Sequence, residues 1–243
     1  IGPCGPDTEI FYDTGKEKCS SNCNPSCSCG KYFEIWNNVF MEFFRDENGK
    51  LTKLKNHNVD TGMGLERTVT VLNNLESVYD SDLFSNLKTK LEELTNLKYE
   101  DNKTSFRIIM DHIRTSTIIL GDNHKITPSN VEAGYVLRRL LRRAIRQIKK
   151  LNVNDNILCD LASVVINDYK DYYEELLINK DFIFEELNKE YKKFNNTLKD
   201  GEKLFYKLIK KLDGSQISGA DAFKLFDTFG FPIEMTCELA SEN

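Results

Sequence analysis

The sequence has no apolar run long enough to cross a membrane and no secretory signal pattern at its start. A cytoplasmic protein with reduced thiols is therefore expected. It also lacks a surplus of positive charge: 33 lysines and arginines stand against 38 aspartates and glutamates, a formal net charge of -5. That excludes a globally basic nucleic-acid binder and confines any nucleic-acid surface to a local patch. There is no G-x-x-x-x-G-K phosphate loop and no G-x-G-x-x-G after a strand pattern, so the common nucleotide-binding folds find no support. The seven cysteines are an odd number and, with no secretory signal, read as reduced thiols rather than a disulfide framework.

What is present reads as two halves. With 243 residues, 40% of them hydrophobic, the chain can form one large or two ordinary domains. It opens with Ile1 directly before Gly-Pro-Cys-Gly-Pro, so a piece of a longer protein is expected. The prolines and glycines of residues 2–6 predict irregular backbone, and Thr8–Tyr12 predicts a short strand. A loop then holds Cys19, Cys23, Cys27 and Cys29. Four thiols so close together can surround a tetrahedral zinc ion, although the one-residue gap between the last two is awkward for a shared metal. A loop of free thiols is the alternative.

Alternation from Phe33 to Phe44 predicts a long strand with Phe33, Ile35, Asn37, Val39, Met41 and Phe43 on one face. Asn37 is the lone polar side chain of that face and needs a partner, either neighbouring backbone or a ligand. Asp46-Glu47-Asn48-Gly49 predicts a hairpin, with Leu51–Leu54 as the returning strand. In Val59–Arg67, Gly62 and Gly64 flank Met63, and Leu65, Val69, Leu72 and Leu75 begin a helical pattern. Arg67 falls in the first helical turn, where the macrodipole disfavours a cation, so an anion is expected opposite it.

After a linker-like stretch at 95–104 the pattern becomes helical. Phe106, Ile109, Met110 and Ile113 share a stripe, and His112 beside them reads as a structural histidine. Ser129 and Glu132 predict a capping box for a helix with Val136, Leu140, Ala144, Ile148 and Leu151 buried. Its other faces carry Arg138, Arg139, Arg142, Arg143, Arg146, Lys149 and Lys150, with no acidic residue after Glu132. Like charges at helical spacing favour a polyanion, such as a nucleic-acid backbone, over a mixed solvated face or internal ion pairs. Ile183 to Leu212 sustain one long helix through Gly201, and Ser218 with Asp221 starts a short one that leaves Asp227 in its last turn.

As a set, these residues resemble the alanyl-tRNA synthetase family. The matching strings are Gly-Pro-Cys-Gly-Pro (2–6), Glu-Ile-Trp-Asn-Asn-Val-Phe-Met (34–41), Val-Asp-Thr-Gly-Met-Gly-Leu-Glu-Arg (59–67) and Asp-His-Ile-Arg (111–114). They continue with Pro-Ser-Asn (128–130), Gly-Tyr-Val-Leu-Arg-Arg-Leu-Leu-Arg-Arg-Ala (134–144) and Asp-Thr-Phe-Gly-Phe-Pro (227–232). The resemblance implies an α+β chain: the C-terminal part of an antiparallel class II catalytic domain over 1–98, then an all-α tRNA acceptor-stem recognition domain over 104–243.

It further implies ATP-dependent activation of alanine, with Mg2+ accompanying ATP, and transfer to the 3′ end of tRNA(Ala). Asn37 would contact the alanine carboxylate, Asp60 its ammonium, and Val39 and Gly62 would line the pocket. Gly62, Gly64 and the catalytic Arg67 would serve ATP. Asn130 and Asp227 would read a guanine–uracil pair in the acceptor stem, while Arg138, Arg139, Arg142, Arg143 and Arg146 grip phosphates. Two features depart from the family: Asp7-Thr8 stands where Cys-Ser is usual, and the four-cysteine loop is not general to it. The first two class II motifs are expected upstream of Ile1, so the fragment alone is expected to be inactive. A non-catalytic RNA-binding module derived from a synthetase is the alternative, and the intact Asn37, Asp60 and Arg67 argue against it. A metal-stabilised interaction domain built on the cysteine loop would leave the basic helix unexplained.

Overall fold

The computed structural model describes residues 1–210, 216–229, 231 and 233–242, with the backbone alone at 227–229, 234, 238 and 242. Two compact units divide between Ser85 and Asn86.

The first unit is organised by one long strand. β1 (Gly2–Cys4) and β2 (Asp7–Asp13) both run antiparallel to β3 (Tyr32–Arg45), and β4 (Leu51–Met63) pairs with β3 as well. The registers Cys4↔Phe43 and Asp7↔Val39 make β1 and β2 one strand interrupted at Gly5-Pro6. Residues 2–4 are thus extended rather than irregular, since a strand at a sheet margin tolerates proline. At the interruption Phe40 N–H donates to the Pro6 carbonyl at 2.9 Å. A Cβ on Gly5 would stand 1.7 Å from the Phe40 carbonyl oxygen, so only glycine allows this approach.

The hairpin at 46–49 forms as expected, with Gly49 at φ 80° and Asp46 bonded to Lys50. The returning strand is much longer than expected and runs through Gly62 to Met63. A break in register between Met41 and Phe43 absorbs three extra residues of β4. A second irregularity opposes Ile10 to Trp36 but Phe11 to Glu34, leaving Ile35 as the extra residue of β3. The face expected from alternation is therefore cut at Ile35: Phe33 shares a face with Trp36, and Glu34 shares one with Asn37. α1 (Leu65–Leu72) follows β4 at once, with Gly64 as its N-cap and Gly64 N–H on the Ile35 carbonyl at 3.0 Å.

α2 (Asp82–Thr95) enters the second unit, whose core takes Leu87, Leu91 and Tyr99 from the stretch around the expected linker. α3 (Lys103–Gly121) buries Phe106, Ile109, Met110 and Ile113 completely, packed against α4 (Glu132–Lys150). α5 (Leu158–Tyr169), α6 (Glu174–Ile178) and the 30-residue α7 (Lys180–Ile209) surround them, and α8 (Gly219–Phe229) and α9 (Ile233–Glu242) close the described chain. α7 runs unbroken through Gly201, where a side chain would collide with the Phe231 ring. His112 is buried with Nδ1 2.8 Å from Asp111, in keeping with a structural histidine.

The two expected helix starts differ. Ser218 accepts from Asp221 N–H at 3.1 Å and donates to its carboxylate at 2.7 Å, a working cap. At α4 the capping box does not form: Val131 is the N-cap without a side-chain bond, and Glu132 has φ 49°. Ser129 Oγ instead bonds within its own turn, to Val131. α4 and its C-cap bury Ala144, Ile148 and Leu151 as expected, add Leu137, Leu141 and Ile145, leave Leu140 half-buried and expose Val136.

Candidate functional site

The β3–β4 ladder opposes Asn37 to Gly62 and Val39 to Asp60. Directly opposed residues of an antiparallel pair share a face, so the four residues assigned to alanine form two adjacent cross-strand pairs on one side of the sheet. β2 extends both rows, with Glu9 opposite Asn37 and Asp7 opposite Val39. Asn37 Nδ2 donates to Asp7 Oδ2 at 3.4 Å. Gly62 has no left-handed φ, and a Cβ there would meet nothing within 4 Å. Neither backbone conformation nor internal packing requires glycine at that point, and the space above it is open.

Arg67 does meet an anion, and it is internal. Its Nη1 donates to the Glu34 carboxylate at 3.1 Å and to the Glu34 carbonyl at 3.0 Å, and its guanidinium lies 5.7 Å from the Phe33 ring centre. The pair is open to water, with the Arg67 side chain 47% exposed. Glu34 and Asp7 were missed as site residues by sequence reasoning. The bulge at Ile35 hid the first; the only sequence trace of the second was its departure from the Cys-Ser pattern.

The cysteine loop leaves the same sheet. Thr14 and Asp13 close its neck onto Gly30 and Lys31: Thr14 Oγ1 donates to Gly30 at 2.9 Å, and Lys31 Nζ to Asp13 at 2.9 Å. The Lys31 ammonium holds the Asp13 carboxyl below its usual range. Two tight turns, Cys23 N–H to Ser20 and Cys27 N–H to Asn24, fold the loop so that the sulfurs of Cys19, Cys23 and Cys27 lie within 4.8 Å of one another. Cys29 Sγ stands 3.7 Å from Cys23 Sγ. A tetrahedral zinc with sulfurs at about 2.3 Å separates them by roughly 3.8 Å; Cys19, Cys23 and Cys27 are grouped tightly enough to approach that, while Cys29 stands beside Cys23 but outside the group. Hydrogen bonding to Cys23 pushes the Cys19 thiol up to about 12, while the Lys31 backbone bond pulls Cys29 down. Crowded sulfurs that resist joint ionisation are what a cation would relieve.

In the second unit the basic helix is only partly a surface. Arg139 and Arg143 are exposed and Arg138 half-buried, but Arg142 is 5% and Arg146 7% exposed. Arg142 Nε donates to Glu190 of α7 at 2.6 Å, and its guanidinium lies 4.9 Å from the Phe194 ring centre. The expectation that all five arginines face a polyanion is therefore corrected: Arg142 and Arg146 pack inward toward neighbouring helices. Arg138 Nη1 donates to Asn130 Oδ1, joining two residues that sequence reasoning had assigned separately. Asp227 lies in the last turn of α8, and its side chain is outside the described residues.

Comparison with known proteins agrees in family. A family model described as "tRNA synthetases class II (A)" matches residues 1–243. The chain is 55% identical to an alanine–tRNA ligase of Borrelia hermsii over 99% of its own length and 41% of that protein. It is 48% identical to one of Treponema pallidum over 100% of this chain and 41% of the other. For one of Bacillus cytotoxicus the identity is 43%, over 99% and 28%. The chain thus spans about two-fifths, or less, of the curated relatives it matches.

Replacing Glu190 by alanine removes the carboxylate buried against Arg142, which is expected to cost about 3–5 kcal/mol. Exposed Arg143→Ala should stay within about 0.5 kcal/mol. Urea unfolding followed by helical circular dichroism compares them, and equal small losses would contradict the buried pair. With an antiparallel sheet, a strand-to-helix motif at 59–67 and a following helical unit, matched by the family model across its whole length, the chain belongs to the class II tRNA synthetases.

Proposed function

We propose that this chain is the part of an alanine–tRNA ligase that holds alanine and one side of ATP and recognises the tRNA(Ala) acceptor stem. The observation that carries the reading is the pairing of Asn37 with Gly62 and Val39 with Asp60 on one sheet face, with Arg67 on the helix that follows. Asp60 takes the ammonium, Asn37 the carboxylate, and Val39 limits the pocket to a small side chain. Open space above Gly62 suits close approach of substrate. Gly64, whose N–H holds β3, sets the entry to α1 so that Arg67 projects from its first turn.

The chemistry asked of these groups is positioning and charge stabilisation. An alanine carboxylate oxygen attacks the α-phosphorus of ATP, the bond to pyrophosphate breaks, and alanyl-adenylate forms; the 3′ hydroxyl of tRNA then displaces AMP. Mg2+ travels with ATP as part of that substrate. Fixing the amino acid at both its charged ends aligns the attack, and a guanidinium at the phosphates offsets their charge. Arg67 exchanges an exposed carboxylate, Glu34, for a phosphate, which costs little in water.

On the second unit, Asn130 and Asp227 read the wobble pair in the minor groove, while Arg138, Arg139 and Arg143 contact phosphates. Because Arg138 occupies Asn130 Oδ1, the amide's NH2 end is left to donate to a base carbonyl. The thiolates of Cys19, Cys23 and Cys27, with Cys29 beside Cys23, would hold a zinc ion whose contribution would be structural, cross-linking the loop. The chain's resemblance to alanine–tRNA ligases, enzymes of translation, leads us to place the protein in the cytoplasm.

In the full-length protein, Asp60→Ala is expected to abolish alanine-dependent ATP–pyrophosphate exchange; wild-type rates in the variant would remove Asp60 from the site. For the chain itself, acceptor-stem hairpins with a guanine–uracil pair should bind more tightly than those with guanine–cytosine. Asn130→Ala should erase that preference. Arg139→Ala and Arg143→Ala should weaken both hairpins and each lower the salt slope by about 1. Equal affinity for both hairpins would leave only a non-specific RNA-binding module. Metal analysis should find roughly one zinc per chain, lost in Cys23→Ser. Metal-free protein with four titratable loop thiols would refute the zinc site.

A further inference from the structure

We infer that Asp7 is a positioning residue for alanine: it fixes which end of the Asn37 amide faces the substrate. The inference rests on the proposed assignment of Asn37 to the alanine carboxylate. Asp7 opens β2 directly opposite Val39, and Asn37 is its diagonal neighbour on the same face. Asn37 Nδ2 donates to Asp7 Oδ2 at 3.4 Å.

A primary amide can present either of two ends, an acceptor oxygen or an NH2 group with two hydrogens. Facing a substrate carboxylate, the first repels and the second binds. An ionised carboxylate such as Asp7 has no hydrogen to give, so it can be met only by the NH2 end. One hydrogen on Asp7 sets the amide's orientation, turns Oδ1 away, and leaves the second hydrogen for alanine.

A thiol at this position would be a poor acceptor and could not impose this choice. Asp7 also lies in one row with Val39 and Asp60, so its charge stands on the face that receives an ammonium. A direct role toward that ammonium is the rival explanation, and its effect would persist when Asn37 is removed.

The experiment measures alanine-dependent ATP–pyrophosphate exchange in the full-length protein, with KM for alanine, KM for ATP and kcat determined separately. Asp7→Ala should raise KM for alanine roughly 3- to 10-fold, the range set by one lost hydrogen bond, with KM for ATP unchanged. Asp7→Asn keeps an oxygen acceptor but adds an NH2 group that can meet the Asn37 amide from its other end, so it should recover only part of that loss. In an Asn37→Ala background, Asp7→Ala should add nothing further.

Three results would overturn the inference: an unchanged KM for alanine in Asp7→Ala, a parallel rise in KM for ATP, or full additivity with Asn37→Ala. The last would assign Asp7 a direct role toward the ammonium. Asn37→Ala and Asp60→Ala serve as references for the site. If they impair exchange while Asp7→Ala does not, this inference alone fails; if neither impairs it, the site assignment fails and this inference with it.

Discussion

The register between β3 and β4 is the constraint on which the candidate site depends. A slip of one residue would carry Asn37 and Val39 to the far side of the sheet while Asp60 and Gly62 kept theirs. Three features hold the ladder in place. The turn at 46–49 starts it, the break opposite Glu42 absorbs three residues without disturbing the pairs beyond, and Gly64 N–H fastens the end of β4 to the Ile35 carbonyl. On the other margin, Gly5 lets the Pro6 carbonyl reach Phe40 N–H, so the β1–β2 strand changes register beside the site without leaving β3.

Two arginines that looked alike in sequence are separated by what surrounds them. Arg67 and Arg142 each stand beside a glutamate, at 3.1 and 2.6 Å. The Arg67 side chain is 47% exposed and that of Arg142 5%. An exposed ion pair contributes about 0–1 kcal/mol and exchanges readily for another anion. Breaking a buried one by removing its partner costs about 3–5 kcal/mol, more than a single phosphate contact returns. Arg67 is therefore suited to meet ligand, whereas Arg142 belongs to the packing of α4 on α7. This removes the central cation from the expected row and leaves Arg138, Arg139 and Arg143 as its exposed or half-buried members.

Local chemistry was the part most legible in the sequence. The Asn-Gly hairpin, the Ser218–Asp221 cap and the buried leucine and phenylalanine stripes all follow from residues a few positions apart. Most of what failed depended on partners far along the chain. Glu190 lies 48 residues from Arg142 and on another helix, so nothing in the composition of α4 announces its counter-charge. The bulge at Ile35 is a property of pairing with β2, and strict alternation placed Phe33 and Glu34 on the wrong faces for that reason. At α4, Ser129 has the residue type of a cap, but the turn it stabilises ends at Val131, before the helix begins.

The cysteine loop gains meaning from where its two ends go. Asp13 and Tyr32, at its neck, are the last pair of the β2–β3 ladder, and the bulge that turns Glu34 toward Asn37's face lies only three residues beyond Tyr32. Closing the loop with hydrogen bonds at the neck alone leaves its tip to turns stabilised one at a time. A metal held by thiolates from both halves would cross-link the loop, and its binding energy would appear as folding energy. Such an ion need not approach substrate to matter. By fixing where β2 and β3 emerge, it would hold the bulge, and through the bulge the Glu34 carboxylate that keeps Arg67 in place until a phosphate replaces it.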